Sequence, residues 1–239
     1  MTTSDVAVVT GASRGLGRAL AGALASAGYQ LIIDARDADT LAATASELQA
    51  AGSVLALPGD ITDPDHRVRV AAAAEAAGGA SLLVHNAGTL GASPLPALAD
   101  YLAGALRTCL EVNVIAPVAL TQLLLPGLRA RGGAIVAITS DAAVEAYSGW
   151  GGYGAAKAAF EQAFAVLAAE EPALRVWRVD PGDLRTRMHQ EAFPGVDISD
   201  RPLPETVAPA FLRLICERMP SGRYRAAELL PAALAGRRA

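Results

Sequence analysis

Short, mainly apolar runs punctuate the chain at 6–9, 30–33, 54–57, 82–85, 134–138 and 174–179, and a longer alanine-rich stretch follows most of them. Runs of four to six residues suit strands buried on both faces, where no polar alternation is needed. The stretches between them, at about 16–27, 39–51, 64–77, 98–128 and 150–170, carry apolar residues at helical spacing. The fourth is long enough to call for an irregularity. Strand and helix alternating in this order predict an α/β fold, a doubly wound parallel sheet with helices on both faces. Beyond 179 the pattern weakens. Residues 188–204 read as a loop long enough to cover a substrate, 205–218 as a helix, and 223–226 as a seventh strand.

Of the 239 residues, 52% are hydrophobic, 18% charged and 5% aromatic, and the net charge is −4. No Pro/Ser-rich linker or charge block divides the chain, so a single domain over 1–239 is expected. No run of five residues is basic, which argues against nucleic acid as a partner. The alanine-rich stretch 68–84 is interrupted by Arg69 and Glu75 and is too short to span a bilayer, so no membrane partner is expected. The chain enters an apolar strand at Val6 without the basic segment and cleavage site of a secretory signal, the pattern of a cytoplasmic protein. Cys109 and Cys216 lack metal-site spacing and are expected to be small buried hydrophobes. With three scattered histidines, no metal site is expected.

Candidate chemistry begins after the first strand, at Thr10-Gly11-Ala12-Ser13-Arg14-Gly15-Leu16-Gly17. Glycines here allow a tight turn, a close approach of backbone to a pyrophosphate, and close packing of the next helix, whose N-terminus favours an anion. On the helix after the fifth strand, Tyr153 and Lys157 lie four residues apart and share a face with Phe160, Phe164 and Leu167. That stripe faces the sheet, so the lysine loses water, which is costly unless acceptors meet it. Lys157 is also the chain's only lysine among 20 Lys+Arg residues. A compact ammonium and a guanidinium are not interchangeable, so its retention asks for a reason. Ser140 ends the fifth strand and His85-Asn86-Ala87-Gly88 ends the fourth. Ligands of open parallel sheets bind beyond the carboxyl ends of the strands, so these segments should converge. Tyr147 competes with Tyr153 on residue type alone, because Gly151 stands where the lysine would be.

Taken in order, these motifs resemble the short-chain dehydrogenase/reductase family, in its short single-domain branch, over essentially the whole chain. The resemblance rests on Thr10 to Gly17, Asp60 after the third strand, Asn86-Ala87-Gly88, Asn113, Ser140, Tyr153-x3-Lys157, and Pro181-Gly182-x3-Thr186. It implies a Rossmann-type sheet of about seven strands and an NAD(P)-dependent oxidoreductase interconverting a carbonyl and an alcohol. Asn113, Ser140, Tyr153 and Lys157 would form its catalytic tetrad. Tyr153 would be the general acid or base, with Lys157 and the positive nicotinamide lowering its pKa from about 10. Ser140 would hold the substrate oxygen, Lys157 the nicotinamide ribose, and Asn113 a water relay behind the lysine. By the same resemblance Gly11, Ser13, Arg14, Gly15, Leu16, Gly17, Arg36, Asp60, Ile61, Asn86, Ala87, Gly88, Pro181, Gly182 and Thr186 would line the cofactor. Two departures stand out: His85 occupies a position where asparagine is common, as does Asp180 before Pro181. His85 is expected to be a strand-end core residue.

Two rules conflict over the cofactor. An acidic residue about 20 positions past the glycines points to Asp34 on a ribose hydroxyl, hence NAD(H). Family alignment instead places Ala35 where NAD-dependent relatives carry aspartate and Arg36 next to it, and Arg14 lies in the turn. Two arginines suit a 2′-phosphate, so NADP(H) is preferred, with NAD(H) as the alternative. Trp150, Met188, His189 and Phe193 are candidates for contact with a small carbonyl or alcohol substrate. A homodimer or homotetramer is implied by the family, and the outer face of Ala155, Ala158 and Ala159 would permit close packing. A cofactor-sensing binding protein without turnover is the alternative function, and the filled tetrad argues against it. Epimerases and dehydratases of nucleotide sugars need a longer chain.

Overall fold

The computed structural model describes residues 5–230. Its strands are β1 (Val6–Val9), β2 (Gln30–Ala35), β3 (Val54–Pro58), β4 (Leu82–His85), β5 (Ala134–Ile138), β6 (Arg175–Asp180) and β7 (Gly222–Arg225). They form one parallel sheet in the order β3-β2-β1-β4-β5-β6-β7. The chain runs outward from β1 in one direction, returns, and runs outward from β4 in the other. A crevice therefore opens between the carboxyl ends of β1 and β4.

Alternate residues of the central strands feed two cores. Ala7, Val9, Leu31, Ile33, Val84, Val136 and Trp177 face α1 (Gly15–Ser26) and α8 (Ala208–Cys216), meeting Leu20, Leu24, Phe211 and Leu214. Val6, Val8, Ile32, Leu83, Ile135 and Val176 face α3 (Pro64–Ala76), α5 (Ala116–Arg131) and α6 (Gly151–Glu170). Burying one such side chain contributes roughly 1.5–3 kcal/mol, which is why fully apolar strands alternate faces without exposing either. The helix α2 (Ala38–Leu48) starts where Asp37 accepts the Thr40 N–H, and α3 starts at Pro64 with Asp63 accepting from Asp65. The glycine Gly132 ends α5 in the left-handed conformation.

The long fourth helical stretch is broken as expected, and more than once. A short turn at Leu98–Asp100 precedes α4 (Ala103–Leu110), and a π-helical turn at Glu111–Ile115 joins α4 to α5. By length and hydropathy alone, Ala103–Arg131 could cross a membrane, more so than the stretch 68–84. Here Ala116, Leu120, Leu124 and Leu128 of that segment pack on the sheet. The stretch taken for a loop at 188–204 begins as a helix, α7 (Arg187–Ala192), because Thr186 caps it by accepting the His189 N–H. The seventh strand is present, followed by α9 (Ala226–Leu229). Cys109 is buried as expected, but Cys216 is exposed at the last position of α8, a correction: helical periodicity turns it away from the core that Phe211 and Leu214 enter. The expectation for 231–239 lies outside the described residues.

His85 is the core residue the sequence suggested. Its ring meets Phe160 and Phe164 edge-on. Because the Thr121 hydroxyl donates to the Pro117 carbonyl, the His85 Nε2 at 2.7 Å must carry the hydrogen that Thr121 accepts. Burial, with the Lys157 charge nearby, pushes the imidazole down to about 3. The unfolded chain then binds one proton more than the folded chain between that value and the ordinary 6.5. Stability therefore falls as pH drops through this window, by about 3 kcal/mol from pH 7 to pH 4 for this group. Denaturant melts at the two pH values should show His85→Asn losing that much less than the wild type; an equal loss would refute the neutral, buried imidazole.

Candidate active site

The turn after β1 is bolted to the end of β4. Thr10 Oγ1 donates to the Val84 carbonyl at 3.3 Å and accepts the N–H groups of Asn86 and Ala87 at 3.0 and 3.1 Å. The Asn86 amide donates back to the carbonyls of Thr10 and Gly11. Two glycines make this approach possible. Gly11 has φ +67°, and a Cβ on it would lie 2.8 Å from the Ala87 Cα. A Cβ on Gly17 would lie 2.4 Å from both the Gly11 carbonyl oxygen and the Asn86 amide. Gly17 packs helix against turn and is not among the residues that line the cavity beyond it.

That cavity has a volume of about 850 Å³ and runs across the carboxyl ends of the strands. Gly11, Ser13, Arg14, Gly15, Leu16, Arg36, Asp60, Ile61, Asn86, Ala87, Gly88, Ser140, Tyr153, Lys157, Pro181, Gly182 and Thr186 all line it. The first turn of α1 borders it too, and Arg14 at its N-cap makes no side-chain cap bond, in contrast to Asp37, Asp63 and Thr186 at other helices. Uncapped N–H donors at a helix start suit an anion. The glycine cradle, these donors and two exposed arginines together fit a dinucleotide.

Asp34 is the surprise at this end. It lines the cavity but is only 2% exposed. Its Oδ1 accepts the Gly11 N–H at 2.9 Å and its Oδ2 meets His66 Nε2 at 3.1 Å. Arg14 and Arg36 line the same region, with Arg14 in an exposed ion pair with Asp37 at 3.2 Å. Nothing in the sequence separates a carboxylate held in the core from one offered to a ligand, and nothing in it singles out His66 as the partner.

At the other end, Tyr153 and Lys157 are both buried along the inner face of α6, with Phe160 and Phe164 below them and Leu167 half-buried. Lys157 Nζ donates to the Ile138 carbonyl at 2.9 Å and lies 5.6 Å from the Tyr153 ring centre. Its other two donors meet no acceptor among the described residues. Burial pulls Lys157 down to about 8. Burial also pushes the Tyr153 hydroxyl up, and Cys109 and the carboxylates of Asp180 and Asp141 push the same way. In the protein alone, Lys157 does not bring about the lowering expected of it together with a cationic nicotinamide. The ammonium is directed at a carbonyl, while desolvation and two acidic neighbours act on the phenol. The Tyr153 hydroxyl has no hydrogen-bond partner among the described residues and opens onto the cavity.

Ser140 caps the short turn Asp141–Ala143. Its hydroxyl donates to Asp141 Oδ1 at 2.9 Å, and Tyr147 donates to the other oxygen of Asp141 at 3.0 Å. Asp141 and Asp180 both line the cavity, and neither was singled out for it. Asn113 is the member of the expected tetrad that does not reach the cavity wall. Its amide donates to the carbonyls of Thr89 and Cys109, and its Oδ1 accepts from Thr89 N–H, so the side chain braces the loop after β4. Asn113 lies within the π-helical turn Glu111–Ile115, four residues after Cys109, whose carbonyl its amide reaches at 2.9 Å. Trp150, Met188 and His189 line the cavity. Phe193 does not, and stacks instead behind Trp150 and His189.

The glycine geometry makes a sharp contrast within one helix. Gly17→Ala should destabilise by about 2 kcal/mol or more, because the new methyl meets backbone it cannot move. Gly22→Ala, whose Cβ would meet only Leu48 at 3.5 Å, should be neutral or stabilising by up to about 1 kcal/mol. Denaturation midpoints of the two variants that coincide would contradict this packing.

Comparison with known proteins agrees with this architecture. The family profile described as short chain dehydrogenase matches residues 5–197. The 3-oxoacyl-acyl-carrier-protein reductase of rhamnolipid biosynthesis from Pseudomonas aeruginosa is 34% identical over 77% of this chain and 74% of its own length. Sepiapterin reductase of Rattus norvegicus is 36% identical over 78% of this chain and 77% of its own. Among solved structures, a short chain dehydrogenase from Escherichia coli complexed with NADPH superposes with a TM-score of 0.85 at 29% identity, covering 93% of this chain and 96% of that one. The chain belongs to the short-chain dehydrogenase/reductase family of oxidoreductases.

Proposed function

We propose that the protein is an NADP(H)-dependent oxidoreductase that interconverts a small carbonyl compound and the corresponding secondary alcohol, with Tyr153 as general acid or base. The carrying observation is one cavity that holds the glycine turn at one end and the free Tyr153 hydroxyl, Ser140 and Lys157 at the other. When bound, the nicotinamide supplies or accepts the hydride. Everything else falls to the chain's own groups.

In the reducing direction a proton must reach the carbonyl oxygen. Tyr153 is suited to hold it, because burial and the acidic neighbours keep its hydroxyl protonated. In oxidation the same oxygen takes the alcohol's proton, which requires positive charge nearby to offset Asp141 and Asp180. Lys157 is one source, and its two open donors suit the ribose hydroxyls beside the ring. Ser140 would position the substrate oxygen, turning its hydroxyl from Asp141 to the substrate when a carbonyl is bound. Asn113 acts through the loop after β4, a positioning role. Trp150, Met188 and His189 would form the apolar wall around the substrate, and the segment 188–204, beginning with α7, its cover.

For the cofactor, Asp34 argues for NADP(H). Its two oxygens are taken by Gly11 and His66, so it is a poor partner for a ribose diol. Arg14 and Arg36 offer the charge a 2′-phosphate needs. One domain spanning 1–239, and a homodimer or homotetramer, complete the proposal; exposed Ile115, Leu123 and Val166 on and beside α5 and α6 fit such an interface.

A panel of ketones and aldehydes assayed by NADPH oxidation tests the activity. Tyr153→Phe should lower kcat by about a hundredfold or more, and undiminished turnover would reject the assigned acid. Direct titration should find NADPH bound more tightly than NADH. A pH profile adds an independent check. Since Lys157 is held at about 8, below its ordinary 10.5, its ammonium is present below that value and lost above it. The kcat/KM for NADPH should fall as pH rises through about 8, and Lys157→Arg should remove this limb while leaving a lower plateau.

A further inference from the structure

The buried imidazole of His66 has no part in the chemistry above, and its surroundings point to another task. It lies fully buried on α3, with Nε2 3.1 Å from Asp34 Oδ2 and Nδ1 3.3 Å from the Arg69 guanidinium. A guanidinium only donates, so Nδ1 is the acceptor and Nε2 carries the hydrogen given to Asp34. Space is kept for the ring: a Cβ on Gly59 would lie 2.2 Å from Nδ1. Asp34 thus has one donor on each oxygen, Gly11 N–H on Oδ1 and His66 on Oδ2.

Asp34 lines the cavity beside Ala35 and Arg36. Free to turn, a carboxylate there would take a ribose hydroxyl and repel a 2′-phosphate. Held by one donor on each oxygen, it is tied to the first turn and to α3 and stays buried. We propose that His66 is a positioning residue for cofactor selection: by holding Asp34 Oδ2 in the core, it keeps that carboxylate from the ribose edge and leaves Arg14 and Arg36 to receive a 2′-phosphate. The inference rests on the NADP(H) reading and adds a residue that touches no ligand. Without His66 the buried carboxylate is one partner short, a costly state. It relaxes toward the cavity, where it opposes NADPH and not NADH.

Titration of the intact protein with NADPH and NADH, followed by cofactor fluorescence, tests this. His66→Asn, too short to reach Asp34, should lower the preference for NADPH over NADH at least about tenfold. His66→Gln, which extends an amide donor toward the same oxygen, should keep the preference within about threefold of wild type. Asp34→Ser combined with His66→Asn should restore it, because the carboxylate is gone. A space-filling role for His66 would weaken both cofactors alike and would not be rescued. An unchanged preference in His66→Asn, or none regained in the double variant, would overturn the proposal. Should His66→Asn not fold, Asp34→Ser with His66 intact decides: a retained preference supports it, and a lost one overturns it. Wild type that prefers NADH would instead sink the cofactor reading itself, whereas NADPH preference with insensitive variants sinks only the role of His66.

Discussion

The site depends on the bolt between the first turn and the end of β4. A threonine hydroxyl that gives one hydrogen bond and receives two, and an asparagine amide that gives two back, join segments separated by more than 70 residues. These bonds fix the two loops that follow β1 and β4 against each other, at the position where an open parallel sheet binds ligands. They also explain why the glycines are glycines. With no Cβ at 11 and 17, backbone approaches backbone, and the start of α1 is aimed at the cavity with its donors uncapped. A capping side chain at position 14 would satisfy those donors and remove their use to an anion.

Electrostatics at the opposite end follow from burial more than from pairing. Tyr153 and Lys157 share the inner face of α6, and desolvation is the largest influence on each. It favours the neutral form of both, raising the phenol and lowering the ammonium, so the pair is poised in opposite senses by one cause. Asp141 and Asp180 add negative charge close to the phenol. The free site is therefore set to deliver a proton, and it needs added positive charge to take one. A dinucleotide whose ring is cationic only when oxidised would supply that charge when oxidation is to begin. In the proposed reaction, this coupling would set the direction of proton transfer at Tyr153 by the redox state of the bound cofactor.

The sheet was legible because its buried central strands β1, β4 and β5 leave a signal of mainly apolar runs, and the glycine turn and Tyr153-x3-Lys157 because their spacing is local. What escaped was set by contacts distant in sequence. Asp34 reads as a ribose partner until His66, 32 positions later, is brought against it. Asn113 reads as the support of a water relay behind the lysine, and nothing local in the sequence shows that its amide donates to the carbonyls of Thr89 and Cys109 from a π-helical turn. The helix α7 lacks enough residues to show a period, and only its cap, Thr186, distinguishes it from loop. Asp141 gained its importance from a neighbour, Ser140, and from Tyr147, which had been weighed only as a rival to Tyr153.

The use of one lysine against many arginines becomes intelligible at the far edge of the same site. On β7, Arg223 donates through Nε to Glu161 at 2.9 Å and through Nη2 to the Ser140 carbonyl at 3.2 Å, with Asp180 Oδ2 at 3.7 Å. Glu161 in turn accepts from the Thr139 hydroxyl at 2.7 Å, and Asp180 accepts from Gly182 N–H at 2.9 Å. One planar fork thereby joins the ends of β5 and β6 to α6, behind the serine and the phenol. That task needs several donors fixed in direction, which a guanidinium has and an ammonium lacks. Lys157 has the reverse requirement. It holds the Ile138 carbonyl through one donor, and in the proposed function its remaining donors would turn to the cofactor while its charge is close to titrating, which a guanidinium cannot do. On that reading arginine stands where geometry must be held, and the lysine where a movable donor and a labile charge are needed.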